Sequence, residues 1–136
     1  MDFMRSLVVA ASGLKAQSGR MRVIAENIAN ADSTASTPGG DPYRRKLPTF
    51  KAELDRELGV KTVELGRVRE DSSAFPTRYD PGNPAAGPDG YVKLPNVQPL
   101  VEQMDLREAQ RTYEANIGVV TATRQMISRT LQILRA

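Results

Sequence analysis

The feature that most constrains this chain is a heptad pattern of apolar residues at both of its ends. Near the start the pattern steps by four and three in alternation, and its positions are Phe3, Leu7, Ala10, Leu14, Gln17, Met21, Ile24 and Ile28. This spacing lines the side chains along one face of an α-helix, as in a coiled-coil seam. An ordinary amphipathic core helix carries a similar stripe, so this helix alone does not separate the two structures.

The last 36 or so residues repeat the signal. No proline interrupts the chain between Val101 and Arg135, and the same spacing recurs at Ala109, Tyr113, Asn116, Val120, Thr123, Ile127, Thr130 and Leu134. Two further stripes run through Ile117, Arg124 and Leu131 and through Val119, Met126 and Ile133. A helix that is apolar on several sides must be covered on several sides.

The two helices predict a mainly α, elongated fold, in which they pair as a coiled-coil hairpin. At 1.5 Å per residue they would be about 39 and 50 Å long. A compact globule of 136 residues would be only about 36 Å across. The predicted contacts join Leu7, Leu14, Met21, Ile24 and Ile28 to Val120, Ile127, Leu131 and Leu134. Two helices cannot cover three stripes, so we expect other chains to cover the rest.

The middle of the chain has a different character and predicts a small β-rich insert. We divide the chain into a helix at 1–30, an insert with its linkers at 31–97 and a helix at 98–136. Within the insert, residues 31–42 form a linker rich in small and helix-breaking residues. The segment YRRKL between Pro42 and Pro48 could form a short edge strand.

Three more predictions concern the remainder of the insert. Residues 50–58 resemble one or two helical turns, and residues 60–69 resemble a strand with a bulge at Gly66. Residues 71–90 are rich in proline and glycine, and 91–97 supply a last strand. A loop of that length is more natural as a contact arm than as part of a compact core. Its candidate contact residues are Tyr79, Asp80, Pro81, Asn83, Pro84 and Tyr91.

Residue content argues against catalysis and against a metal or cofactor. The chain has no cysteine and no histidine, so the commonest metal ligands and the commonest general base are missing. No nucleotide-binding or metalloprotease motif occurs. Two carboxylate groups, 53–57 and 70–71, lie in charged stretches that favour solvated surfaces over raised pKa values. A serine–lysine arrangement is the one catalytic pair that sequence leaves open.

Charge and hydropathy limit the partners. The net charge of +3 is spread evenly, so no nucleic-acid footprint is evident, and the basic triplet at 44–46 could be a solvated loop edge or a phosphate or glycan contact. No apolar run reaches the roughly 18 residues that span a membrane. The five apolar residues after Arg5 belong to the first helix, so we expect no cleaved signal peptide.

Asparagine is the most informative polar residue. Asn116 falls in the second seam, where it would fix register and partner if buried, or lie exposed at the edge of the seam. Asn27 and Asn30 stand three apart at the end of the first helix. We expect Asn30 to cap the helix in the left-handed conformation and Asn27 to bind the backbone of a neighbouring chain.

Long segments of the chain resemble the bacterial flagellar basal-body rod family. The segment SGLKAQSGRMRVIAENIANADST resembles the N-terminal signature shared by rod and hook proteins. The segments TPGGDPYRRK, YDPGNPAAGPDGYVKLPNV and AQRTYEANIGVVTATRQMISRTLQIL resemble the proximal-rod members of the family. The resemblance covers nearly the whole chain.

The resemblance implies a structural subunit of a tubular rod in the periplasm. Such a subunit is exported unfolded through the flagellar type III apparatus, transmits torque and encloses the export channel. The implied partners are copies of the chain, other rod proteins and the adaptor that joins the rod to the membrane ring. The assembly interface would then include Phe3, Leu7, Ala10, Leu14, Met21, Ile24, Asn27, Ile28, Asn30, Tyr113, Asn116, Val120, Ile127, Leu131 and Leu134. The alternative is a soluble coiled-coil adaptor or secretion chaperone.

Overall fold

Two helices and a set of short strands make up the protein. The computed structural model describes residues 2–136, with helix α1 at Phe3–Ala29 and helix α2 at Pro99–Arg135. Six strands lie between the helices: β1 (Lys46–Leu47), β2 (Phe50–Asp55), β3 (Val60–Leu65), β4 (Arg69–Glu70), β5 (Thr77–Tyr79) and β6 (Tyr91–Lys93). They pair as three antiparallel two-stranded sheets, β1–β4, β2–β3 and β5–β6. The two predicted helices and the strand-containing insert are therefore confirmed.

Side chains at the helix ends account for where the helices begin and end. Asp2 caps α1, because its Oδ1 accepts hydrogen bonds from the backbone N–H groups of Met4 (3.1 Å) and Arg5 (3.3 Å). Asn30 follows the last turn, where its Nδ2 donates to the carbonyl of Glu26 at 2.9 Å. Among residues 2–136 only glycines have a positive φ. The predicted left-handed conformation of Asn30 is thus wrong, because its side chain caps the helix directly.

The chain divides into two compact units, and each helix contributes to both. The first unit contains α1 up to Met21, the segment Pro48–Arg67 and the segment Arg107–Ala136. Here the helices run antiparallel: Gly13 lies against Asn116, and Arg20 approaches Glu108 at 3.7 Å. Ala10, Ala16, Ala109 and Thr123 are its buried residues.

The β2–β3 hairpin packs against α1 in this unit. Leu65 lies so close to Gly19 that a Cβ at that glycine would stand 2.8 Å from Leu65 Cδ2. The N–H of Val63 donates to Ser12 Oγ at 3.2 Å. The predicted helical turns at 50–58 are wrong, because Phe50–Asp55 pairs residue by residue with β3.

The connecting turn of this hairpin is itself helix-like. The N–H of Gly59 donates to the carbonyl of Asp55 at 2.8 Å, and Gly59 has a φ of 64°. Helix-forming residues in this stretch misled the prediction, whereas the period-2 alternation of Phe50, Ala52 and Leu54 indicated a strand. The predicted bulge at Gly66 is also wrong. That residue follows β3, and its N–H donates to the carbonyl of Thr49 at 2.6 Å.

The second unit contains the segments Arg22–Leu47 and Val68–Leu106. Its core consists of Val23, Ile24, Ala85, Val92 and Val97. The YRRKL strand is present but shortened to Lys46–Leu47, and the strand predicted within 91–97 is confirmed at Tyr91–Lys93. The segment 71–90 is not structureless, because β5 within it pairs with β6.

Gly13 provides a test of the seam in the first unit. A Cβ at Gly13 would lie 2.8 Å from Asn116 Nδ2 and 3.1 Å from its Cγ. Because both atoms are close, rotating the amide alone does not relieve the contact. We therefore expect Gly13→Ala to lower the urea midpoint, although alanine normally stabilises a helix interior by about 0.5–1 kcal/mol over glycine.

In an Asn116→Ala background the same substitution should raise the midpoint. Gly118→Ala is the matched control, because a Cβ at Gly118 meets nothing within 4 Å. Stabilisation by Gly13→Ala in the otherwise unchanged chain would contradict this packing.

Candidate assembly interface

The covered face of α2 in the first unit is the predicted seam. Ala109 and Thr123 are buried on this face, and Tyr113, Asn116, Val120 and Ile127 are half-buried. Asn116 lines an open groove of about 400 Å³ with Arg5, Ser6, Val9, Ala10 and Val119. Asn116 is thus a seam residue at the edge of this groove, beside Gly13 at the closest approach of the helices.

The other two stripes of α2 remain exposed within the chain. Ile117 is 44% exposed on one of them, and Val119, Met126 and Ile133 are exposed on the other. Removing apolar surface from water contributes roughly 25 cal/mol per Å². These stripes therefore form a large surface that a partner could cover.

The end of α2 continues beyond the start of α1. Ile127 lines an open depression with Asp2, Phe3, Met4, Arg5 and Leu7, and α2 extends from there to Arg135. This overhang of eight residues, 128–135, is about 12 Å long. Leu131 is 51% exposed and Leu134 is 75% exposed. The prediction that these two residues pack on the first helix is wrong, because α1 does not extend alongside them.

A buried polar cluster joins the helices to the insert in the second unit. The cluster consists of Asn27, Tyr43, Arg45, Lys46 and Glu102. Asn27 is 1% exposed, and its Oδ1 accepts hydrogen bonds from Tyr43 Oη at 2.7 Å and from the Lys46 N–H at 2.9 Å. Its Nδ2 donates to the Lys46 carbonyl at 2.9 Å and to Glu102 Oε2 at 3.3 Å. All four hydrogen-bonding positions of the amide are therefore used.

This geometry corrects the prediction for Asn27. The predicted backbone partner exists, but it is Lys46 of the same chain and not a neighbouring chain. Asn27 is therefore an internal tie between α1 and β1.

Arg45 lies beside three carboxylates. Its Nε donates to Glu102 Oε1, and its other nitrogens lie 3.4 Å from Asp71 Oδ2 and 3.7 Å from Asp105 Oδ2. Burial alone would lower the pKa of Arg45, but the hydrogen bonds and charges of Glu102 and Asp71 raise it. Hydrogen bonds from Ser73, and then from Arg45, lower the pKa of Asp71. Each ionised form is thus stabilised by its partner.

In contrast to these charged groups, the surroundings of Tyr43 favour its neutral, protonated form. Burial, together with the nearby charges of Glu26 and Glu102, raises its pKa to about 12. The phenol therefore stays protonated and donates to Asn27 across the physiological range.

The side chains of the basic triplet at 44–46 are half-buried and bind partners within the chain. Arg44 stacks on Phe75, with 4.2 Å from Cζ to the ring centroid, and its Nη1 donates to the carbonyls of Asp71 and Ser73. Lys46 Nζ donates to Glu26 Oε1 at 2.5 Å.

The predicted interface residues fall into three groups by burial. Ala10, Ile24 and Asn27 are buried, and Leu131 and Leu134 are exposed. The remaining ones are half-buried: Phe3, Leu7, Leu14, Met21, Ile28, Asn30, Tyr113, Asn116, Val120 and Ile127.

The predicted contact arm forms the β5–β6 hairpin and its loop. Tyr79 and Tyr91 are exposed and pack edge to face, with 5.3 Å between ring centroids. Pro81 and Pro84 are exposed, whereas Asp80 and Asn83 are half-buried. Gly90, at a φ of 80°, makes room for Tyr79.

Among the candidate catalytic carboxylates, Glu53, Glu57 and Glu70 are exposed, whereas Asp55 and Asp71 are half-buried. Glu53 and Glu64 occupy diagonal positions on the β2–β3 hairpin, and their interaction raises the pKa of Glu53 and lowers that of Glu64. Across residues 2–136, no group of three or more acidic side chains is placed to hold a metal ion. Neither of the helices described here is long and apolar enough to cross a membrane.

Comparison with known proteins decides the family. Residues 7–35 match the profile described as flagella basal body rod protein, and residues 89–133 match the flagellar basal body rod FlgEFG protein C-terminal profile. A flagellar basal-body rod protein FlgC from Agrobacterium fabrum is 51% identical, covering 94% of this chain and 92% of the relative.

Two more distant relatives carry the same description. The FlgC of Bacillus subtilis is 38% identical over 98% of this chain and 99% of its own length. The FlgC of Salmonella typhimurium is 39% identical over 92% of each chain. The chain belongs to the FlgC family of flagellar basal-body rod proteins.

The two regions matched by family profiles contain most of both helices of this FlgC-family chain. The first covers α1 from Leu7 and the start of the linker, and the second covers β6 and α2 up to Ile133. Asn27 and Glu102 lie in different matched regions and meet in the second unit.

Sequence reasoning missed the internal polar partners of this FlgC-family chain. Tyr43, Asn96 and Glu102 belong to the cluster or contact it, but no sequence pattern identified them. Arg45 was considered only as part of the basic triplet at 44–46. The one available signal was Glu102, an acid just after Pro99 in the first turn of α2. An acidic residue in this position is typical of the start of a helix, but it does not identify Arg45 as the partner of Glu102.

Glu102 provides a test of the cluster. Glu102→Ala removes an acceptor shared by Arg45 and Asn27, and breaking such a buried pair costs about 3–5 kcal/mol. We therefore expect a large fall in the urea midpoint. Glu108→Ala on the same helix is the control, because the Glu108 side chain is 69% exposed and approaches Arg20 only at 3.7 Å, a contact that contributes less than about 1 kcal/mol. Similar midpoints for the two variants would show that the cluster does not hold the insert.

Proposed function

We propose that the chain is a structural subunit of the flagellar basal-body rod that assembles through its terminal helices. The observation that carries this proposal is the uncovered apolar surface of α2, which comprises two stripes and the overhang at 128–135. Membership of the FlgC family supports the rod as the place where this surface is covered.

In the proposed assembly the helices form a coiled-coil hairpin whose outer stripes meet neighbouring subunits. The partners are copies of the chain, other rod proteins and the adaptor between the rod and the membrane ring. The rod would lie in the periplasm, transmit torque and enclose the path of substrates leaving the type III export apparatus. The exposed tyrosine pair of the β5–β6 hairpin is a second proposed contact.

We propose a mechanical role and not a catalytic one. The Glu53–Glu64 pair lies on an open hairpin, where water surrounds both carboxyl groups. An exposed pair lacks the desolvated surroundings that tune catalytic acids and bases. The printed names of the relatives describe rod proteins and support the same choice.

The experiment that tests the rod proposal changes a side chain that the isolated chain does not use. Leu134→Glu replaces a residue that is 75% exposed, so the urea midpoint of the purified protein should not change. In a deletion strain, the variant should fail to restore rods and motility, because a charge would enter an apolar contact between subunits. Gln132→Glu adds the same charge at an exposed polar position and should restore both.

Electron microscopy of basal bodies reads out the result. Complete rods containing the Leu134→Glu variant would contradict the proposed use of the overhang. Intact basal bodies in the deletion strain itself would favour the alternative, a soluble adaptor or secretion chaperone.

A further inference from the structure

One exposed face of α2 has the composition of a surface that binds a second copy of itself. The face runs along the part of α2 in the first unit, to one side of the seam with α1, and Val119 and Glu108 form the edge nearest α1. It consists of Glu108, Arg111, Ala115, Gly118, Val119, Ala122, Met126 and Arg129. Every one of these residues is exposed. At 3.6 residues per turn they occupy a sector of about 100° on the helix.

The order of residues along this face is self-complementary when the helix is reversed. If the centre of the contact lies between residues 118 and 119 of both copies, then Ala115 faces Ala122 and Arg111 faces Met126. In the same register Glu108 faces Arg129, once at each end of the contact. We propose that this face of α2 pairs antiparallel with the same face of a second copy, giving a symmetric dimer of the free chain.

Small residues at the centre allow the two helices to come close together. Ala115, Gly118 and Ala122 project little from the helix, and a Cβ built at Gly118 meets no atom within 4 Å. Helix axes usually lie 8–10 Å apart, with the distance set by the side chains at the contact. Close approach at the centre brings Val119 against Val119 of the second copy, while Met126 packs on the aliphatic part of Arg111 of that copy.

Charges at both ends of the contact fix the direction of the second copy. Glu108 is 69% exposed and approaches Arg20 of its own chain only at 3.7 Å, so its carboxylate remains accessible. Arg129 forms no ion pair within residues 2–136. An antiparallel pair places Glu108 opposite Arg129 at both ends, whereas a parallel pair in register would place like charges opposite each other.

Such a contact closes on itself. In an isologous interface residue i contacts j and residue j contacts i, so the assembly stops at two chains. A rod needs contacts that repeat in one direction. Dimer formation and rod assembly therefore compete for this face of α2. The dimer covers the face in chains that are not yet part of a rod.

Cross-linking at introduced cysteines tests the register, because the chain has no native cysteine. Full-length Arg111→Cys chains mixed with Met126→Cys chains should yield a disulfide-linked species of twice the 14.9 kDa chain mass. Each variant alone should yield little of it, since residues 111 and 111 of the two chains would lie about 22 Å apart along the helices. Val119→Cys alone should cross-link to itself, because it lies beside the symmetry axis.

A matched control pair and a charge exchange complete the test. Glu114→Cys mixed with Arg124→Cys should not cross-link, although both residues are exposed at similar heights on α2. Glu108→Arg should abolish the 111–126 cross-link, and adding Arg129→Glu to the same chain should restore it. A ladder of higher oligomers, self-cross-linking of Arg111→Cys, or no cross-link in the mixture would each overturn the proposed dimer. None of these outcomes would bear on the rod, which is tested in cells.

Discussion

The hydrogen bonds of one buried amide, that of Asn27, hold together three parts of the second unit. Asn27 lies near the end of α1, Lys46 lies in β1 and Glu102 lies in the first turn of α2. A buried amide without partners would cost about 1–3 kcal/mol for each unsatisfied group. In this arrangement the amide oxygen and nitrogen are both fully hydrogen-bonded. The insert is therefore fixed to the helices by polar contacts in addition to the apolar core that contains Val23, Ile24 and Val92.

The first unit is built on a different principle. Its seam consists of small and medium residues, with Gly13 admitting Asn116 and Gly19 admitting Leu65. Only one face of α2 is covered there, and the overhang has no helix beside it. A helix with uncovered apolar stripes gains stability mainly from later packing, because isolated helices are marginal in water. In the proposed rod, the same exposed stripes that weaken the free chain supply the contacts between subunits.

The sequence predicted the helices and their seam well, because a heptad repeat over several turns leaves little choice of secondary structure. It misassigned Phe50–Asp55 as helical turns, because the segment contains several helix-forming residues. Pairing with β3 makes this segment a strand, and the sequence alone does not show that pairing. The sequence also predicted that Leu131 and Leu134 pack on the first helix, although α2 continues past the point where α1 begins. Its pairing of Met21, Ile24 and Ile28 with residues 120–134 is wrong as well, because the antiparallel α1 already lies beside Glu108 at Arg20. The partners of Asn27 could not be predicted from spacing, because Tyr43, Lys46 and Glu102 are separated from it by 16, 19 and 75 residues. Long-range polar pairs leave no periodic signal.

Hydrogen exchange of the free chain and of purified rods, compared by mass spectrometry, tests the central claim most directly. The claim is that the second unit is secured by its own polar cluster, while the end of α2 depends on neighbours. In the free chain, amides around Asn27 and Lys46 should exchange slowly and amides at 128–135 should exchange rapidly. In the rod, the amides at 128–135 should become slow as well. Slow exchange of the overhang in the dilute free chain, or unchanged rapid exchange in the rod, would contradict the account.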